Sequence, residues 1–160
     1  MEIRTATLRD LDMAAALEAS CFPPAEAASK ASLRARLETY PDCFWLLLHQ
    51  GKLVSMVNGM ATSQADLTDE LYDQASLHQP DGDWQMIFGV DTDPAYRCQG
   101  CAGQLLRHVI QQAKLQGRKG LVLTCKEALL PYYAKFGFVN EGISASVHGN
   151  VQWYQMRLTF

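Results

Sequence analysis

Hydrophobic positions along the chain recur in two different periods, and the switches between those periods mark out the elements. Glu2 to Thr5 alternates as a short strand. Thr7-Leu8-Arg9-Asp10 then offers an N-cap with an acid three residues on, ahead of an Ala/Leu-rich run to Cys21. Phe22-Pro23-Pro24 stops that helix, because proline lacks the N–H the next turn needs. A second amphipathic helix is predicted from Ser29 to Thr39. Cys43–His49 and Leu53–Ala61 are apolar runs joined at Gln50-Gly51-Lys52, the signature of a hairpin. Thr62 to Gly82 is polar and irregular apart from a short helical stretch at Leu67–Tyr72, and Trp84–Thr92 is again strand-like. From Gly100 to Leu115, residues Ala102, Leu105, Leu106, Val109, Ile110 and Ala113 fall on one helical face, and Gly117 closes the helix. A buried strand at Leu121–Cys125, a short helix at Ala128–Phe136 ended by Gly137, and a hairpin of Val139–Ser146 with Val151–Leu158 about Gly149-Asn150 complete the pattern.

This order predicts an α/β (α+β) architecture, a central mixed sheet flanked by helices. No linker-like stretch or repeat divides it, so residues 1–160 are read as a single domain. Composition narrows the possible partners. With 48% hydrophobic and 19% charged residues the chain is globular in type, and a net charge of −3 with no basic run longer than Arg118-Lys119 argues against nucleic acid. No apolar run reaches the roughly 20 residues that span a bilayer, so no membrane partner is expected. Met1-Glu2-Ile3-Arg4 lacks the apolar stretch of an export signal, so a cytoplasmic location and free thiols at Cys21, Cys43, Cys98, Cys101 and Cys125 are expected.

Candidate chemistry concentrates at Arg97-Cys98-Gln99-Gly100-Cys101-Ala102-Gly103, between a strand and the start of the strongest helix. Unpaired N–H groups and the positive end of the helix dipole converge there, and small residues let an anion approach the main chain. The preceding Met86-Ile87-Phe88-Gly89-Val90 carries a glycine inside a strand, a mark of a bulge or close approach. Cys98 and Cys101 also form a C-x-x-C at a helix start, which leaves a thiol redox pair open. No metal is expected, since no further cysteine pair or nearby histidine completes a ligand set.

Together with Pro131-Tyr132-Tyr133-Ala134-Lys135-Phe136-Gly137-Phe138, these segments resemble the GNAT superfamily of N-acetyltransferases. The stretch Cys125 to Phe138 is most like the arylalkylamine, or serotonin-type, N-acetyltransferases. The resemblance implies a mostly antiparallel mixed sheet in which the strand at Trp84–Val90 splays from a parallel neighbour at Leu121–Cys125. It implies acetyl-coenzyme A as co-substrate, with Phe88, Gly89 and Val90 along the pantetheine and Arg97, Cys98, Gln99, Gly100, Cys101, Ala102 and Gly103 around the diphosphate. Tyr133, four residues before Gly137-Phe138, takes the family's general-acid position. Phe22, Trp84, Met86 and Trp153 are the candidate lining of the acceptor pocket. Where the serotonin-type enzymes carry two histidines, this chain has Trp84 and Met86, neither of which can take a proton.

The expected reaction is transfer of acetyl from acetyl-coenzyme A to the primary amine of a small molecule, by direct attack in a ternary complex. An alkylamine of pKa near 10 is about one part in a thousand neutral at pH 7, so a base is required. His78, His148, Asp91 and ordered water are its candidates. A non-catalytic acetyl-coenzyme A sensor is the competing reading, and either a monomer or a homodimer is compatible with the sequence.

Overall fold

The computed structural model describes all 160 residues. Strands β1 (Glu2–Thr5), β2 (Phe44–His49), β3 (Lys52–Asn58) and β6 (Gly89–Thr92) form one antiparallel sheet, in the order β1-β2-β3-β6. A second sheet, β4-β5-β7-β9-β8, is built from β4 (Ala61–Thr62), β5 (Trp84–Ile87), β7 (Gly120–Cys125), β8 (Val139–Ile143) and β9 (Tyr154–Thr159). Of all these pairings only β5 with β7 is parallel. Helices α1 (Leu11–Cys21), α2 (Lys30–Thr39), α3 (Asp69–Asp73), α4 (Cys101–Leu115) and α5 (Leu130–Ala134) flank the sheets, as the expected architecture requires.

The unbroken apolar run of β2 follows from burial on both faces. Phe44, Leu46 and Leu48 join Leu11, Ala14 and Leu17 of α1 and Leu33 and Leu37 of α2 in one core. Trp45 and Leu47 point the other way, into a larger core with Leu105, Leu106 and Val109 of α4. Each such side chain contributes about 1.5–3 kcal/mol by leaving water, so the two cores clamp the first sheet between α1/α2 and α4. At the entry to α1, Asp10 accepts from the Thr7 N–H at 2.8 Å and holds the Arg4 guanidinium through two bonds of 2.8 Å. The start of the helix is thereby tied to β1.

Two expected strands are interrupted. The run Leu53–Ala61 breaks at Gly59-Met60, because a Cβ on Gly59 would sit 1.9 Å from the Met86 carbonyl oxygen and the two backbones must pass that closely. Trp84–Thr92 breaks at Phe88, where the chain leaves one sheet for the other. The terminal segment also departs from a simple hairpin: β8 ends at Ile143 and β9 begins at Tyr154. Between them the chain turns inward, and the Trp153 indole N–H donates to the His148 carbonyl at 2.7 Å. The His148 Nε2 lies 2.7 Å from the Glu26 carbonyl, which anchors this loop over the connection between α1 and α2.

Candidate active site

The break at Phe88 makes the site. β5 and β7 run side by side up to the pair Ile87 and Leu123; beyond it Gly89–Thr92 pairs with β3, while Thr124 and Cys125 pair only with β9. The sheets therefore part into a wedge whose walls are the backbone of β6 and the end of β7. Two cavities occupy it, of ≈ 460 Å³ and ≈ 370 Å³, and both are lined by Cys21, Phe22, Val90, Leu129 and Tyr133.

The smaller cavity is a groove of main chain and small side chains. Tyr96, Arg97, Cys98, Gly100, Cys101, Ala102 and Gly103 line it. Gly100 sits at φ +79° and Cys98 at φ +61°, left-handed conformations that fold the loop back against the start of α4. The first bond of α4 running four residues back joins the Gln104 N–H to the Gly100 carbonyl at 2.9 Å, so the N–H groups of Cys101, Ala102 and Gly103 precede it and remain free for an anion. A Cβ on Gly103 would come within 3.4 Å of the Phe136 ring, so a larger side chain there meets the aromatic wall. The groove fits a diphosphate by shape and by charge.

The larger cavity is made of side chains, several of them charged and buried. Glu18 and Arg36 line it although each is only 5% exposed. Arg36 donates to Asn58 Oδ1 at 2.9 Å and to the Tyr72 carbonyl at 3.4 Å, and its guanidinium lies 4.9 Å over the Phe88 ring. Phe88, Gly89, Thr124, Lys126, His148 and Trp153 complete much of the wall. Tyr72 stacks on His148 with ring centroids 5.7 Å apart and shares a 2.9 Å bond with Thr124 Oγ1. Burial pushes the Tyr72 phenol up to about 12. Tyr133 stands at the junction of the two cavities, packed edge-on against Tyr132 at 5.1 Å. Its hydroxyl proton is held well above the ordinary phenol value, first by burial and then by the neighbouring Cys125, Tyr132, Asp91 and Tyr72. The phenol therefore stays protonated at any working pH.

Most of the residues singled out in the sequence meet in this wedge. Phe22, Phe88, Gly89, Val90, Arg97, Cys98, Gly100, Cys101, Ala102, Gly103, Tyr133 and Trp153 all line one cavity or both. Gln99 lines neither; its amide donates to the Ala95 carbonyl at 3.2 Å. Trp84 and Met86 are a correction. Met86 is fully buried in the main core and Trp84 is covered by the Arg157 guanidinium at 4.5 Å, so neither lines a cavity. Both precede Phe88, where β5 is still paired on both edges, by β4 and by β7, and the wedge opens only beyond it. Of the candidate bases, His78 is held by the Ala61 N–H at its Nδ1, 3.1 Å away, and lies outside both cavities. His148 lines the larger one, and Asp91 lies behind its inner wall. Glu18, Arg36, Asn58 and Tyr72 belong to no motif. A usable signal was nonetheless present, since Glu18 follows Leu11 and Ala14 on one helical face and Arg36 falls between Leu33 and Leu37. A charge in a core-facing register seldom occurs without a partner or a task.

A wedge between parting parallel strands, with a free helix start at one end and a tyrosine at the junction, can be compared with known proteins. The model of the acetyltransferase (GNAT) family matches residues 11–138. The chain belongs to this family. GNAT proteins use acetyl- or acyl-coenzyme A, and the free N–H groups of α4 fit such a group's diphosphate. Serotonin N-acetyltransferase of Mesocricetus auratus is 28% identical over 109 residues, which are 68% of this chain and 51% of that protein. The chain thus spans about half the length of that curated relative. Among solved structures, the GphF GNAT-like decarboxylase in complex with isobutyryl-CoA superposes with a TM-score of 0.86 at 25% identity, covering 99% of each chain. The loading GNATL domain of CurA from Lyngbya majuscula also reaches 0.86, covering 99% of this chain and 96% of its own, and at 15% identity it shows the shared fold.

Proposed function

We propose that this GNAT protein transfers the acetyl group of acetyl-coenzyme A to the primary amine of a small molecule, by direct attack within a ternary complex. The observation that carries the reading is Tyr133, placed where a groove suited to an anion meets a cavity walled by aromatic and charged side chains. In this reading the N–H groups of Cys101, Ala102 and Gly103 hold the diphosphate, and the edge of β6 turned away from β3, at Gly89 and Val90, guides the pantetheine toward the cavity. The Phe88 N–H donates to the Asn58 carbonyl at 2.7 Å and is not free for an oxyanion. Tyr133 serves as a hydrogen-bond donor to the sulfur as the C–S bond breaks. The burial that raises its proton affinity acts on a thiolate in the same place too, so the two remain matched. The 28% likeness to a serotonin N-acetyltransferase supports an amine acceptor, and Phe22 and Trp153 at the cavity wall suit a hydrophobic one.

A panel of primary amines, assayed for release of free coenzyme A thiol, tests this. Release with a hydrophobic amine, lost in Tyr133→Phe, is the expected result; no release with any amine sinks it and leaves the sensor reading.

A second reading has a specific observation behind it, the likeness to a GNAT-like decarboxylase over 99% of both chains. A thioester bearing a carboxylate one carbon from its carbonyl loses carbon dioxide when the enolate left behind is stabilised. Arg36, buried at the cavity wall with its Nε lacking any partner, would receive that carboxylate. Carbon dioxide release from malonyl-coenzyme A, without an amine, would favour this reading.

A further inference from the structure

Behind the cavity wall lies an arrangement that neither the groove nor Tyr133 accounts for. Asp91 is fully buried in β6, and neither of its carboxyl oxygens receives a hydrogen bond from any donor. The Glu18 carboxyl from α1 approaches it across Gly89. Two carboxylates repel each other, so the first proton to reach such a pair is held more firmly than on a lone carboxylate. Glu18 is itself oriented, because its Oε2 accepts from the Ala28 N–H at 2.8 Å. The position a Cβ would take on Gly89 lies 3.0 Å from Asp91 Oδ1 and 3.8 Å from Glu18 Oε1, so both carboxyls crowd the space over Gly89. The charged and titratable groups around it are Cys21 on α1, Arg36 on α2, Tyr133 on α5 and Tyr72. Of the pair, Glu18 reaches the cavity.

We infer that Glu18, tuned by Asp91, takes the proton from the ammonium of the incoming amine, replacing the base that this chain lacks at Trp84 and Met86. The inference rests on the amine-acetylation reading. Glu18 is the catalytic residue and Asp91 a positioning residue that acts through it. Burial first, then the contact with Glu18, holds the Asp91 carboxyl well above the ordinary carboxylate value. An ordinary carboxylate, near 4, is about six units too weak to take a proton from an alkylammonium near 10. A buried pair that binds one proton strongly narrows that gap. The step starts from the pair without a proton: an N–H bond of the ammonium breaks, its proton passes to the Glu18 carboxylate and is shared with Asp91, and the freed lone pair attacks the thioester carbon. The C–S bond then breaks with its electrons on sulfur, which receives the Tyr133 proton. The second proton lost by nitrogen restores Tyr133, and the first leaves the pair for solvent. An anionic wall of this kind also selects cationic acceptors over neutral or anionic ones.

The test uses the wild-type protein, Glu18→Gln and Asp91→Asn with the best amine of the panel and with a weakly basic fluorinated analogue of it that is neutral at pH 7. With the ordinary amine, Glu18→Gln should lower kcat/KM at pH 7 by about 100-fold and Asp91→Asn by about 10-fold, within the range of general-base effects. With the neutral analogue both losses should shrink to within a few-fold, since no proton has to be removed before attack. Equal losses with the two acceptors would mean a structural role and would overturn the inference, as would variants as active as the wild type. A wild type inactive with every amine fails the acetyl-transfer reading itself, and this role with it.

A measurement without substrate tests the shared proton. A group whose folded pKa is raised stabilises below its unfolded value, near 4, and that stability is lost as pH rises through the folded value. Wild-type melting temperature should therefore fall relative to Asp91→Asn as pH rises above the ordinary carboxylate range and through the raised Asp91 value. Parallel curves for the two proteins would overturn the pairing.

Discussion

The two cavities of the wedge are built on opposite principles. One is a groove of backbone and small residues, Gly100 to Gly103, whose attraction for an anion comes from peptide N–H groups that any sequence possesses. The other is a chamber of side chains, in which Glu18 and Arg36 at the wall and Asp91 behind it are charged or titratable and almost wholly withdrawn from water. A groove of main chain can serve one ligand across many sequences, since only the absence of bulk is demanded. A chamber of buried charges is specific to its occupant, because each charge costs several kcal/mol to bury and persists only with a partner. Tyr133 touches both, and in the proposed reading it is the point where a shared cofactor meets an individual substrate.

The sharpest way to break this contrast is to remove the hydroxyl at the junction. Tyr133→Phe should lower kcat by about 10²-fold or more while leaving the affinity for acetyl-coenzyme A nearly unchanged, measured by thiol release and by calorimetry. A parallel loss of affinity would show that the tyrosine builds the groove rather than serving the chemistry.

Next in size, Ala102→Glu places a negative charge among the free N–H groups of α4. Acetyl-coenzyme A should bind about 10-fold more weakly, with the deficit shrinking at high salt, while kcat at saturation holds. Salt-independent weakening would point to steric blockage instead.

A smaller change separates strain from function. Gly100 has φ +79°, and nothing lies within 4 Å of a Cβ placed there, so Gly100→Ala meets no steric obstacle beyond its own backbone. It should cost about 1–2 kcal/mol of stability by chemical denaturation, with the chamber's chemistry intact.

The smallest effect lies outside both cavities and serves as their control. The Arg4 guanidinium, with the Thr7 backbone, holds the Asp10 carboxyl below its ordinary value although burial pushes it the other way. A lowered folded pKa stabilises above the unfolded value, near 4, and that stability disappears as pH falls through the folded one. Arg4→Met should therefore cost about 1 kcal/mol at pH 7, and progressively less as pH falls through the lowered Asp10 value, without changing turnover.

The element order, the covered first sheet and the anion groove were legible in the chain because each depends on residues close together in sequence. A period of apolar positions predicts a helix face, and Arg97 to Gly103 is a single loop whose small residues speak for themselves. The boundaries failed where a distant strand intervened. Nothing local to Leu53–Ala61 announces that the Met86 carbonyl lies 1.9 Å from where a Cβ of Gly59 would be. Trp84 and Met86 fall outside the cavities for a related reason: alternation along a strand says which residues share a face, not which face is opened by a parting of sheets two to four residues further on.

The sequence by itself determined that this is one α/β unit with a helix start bared to an anion and a tyrosine in the position its resemblance to the acetyltransferases implies. Only the tertiary structure decided that Glu18, Arg36, Asn58 and Asp91, drawn from two helices and two strands, converge behind Gly89. Local patterning is written in neighbours a few residues apart. The proton affinity of a buried carboxyl depends instead on which distant groups packing brings within a few ångströms, and no spacing along the chain records that distance.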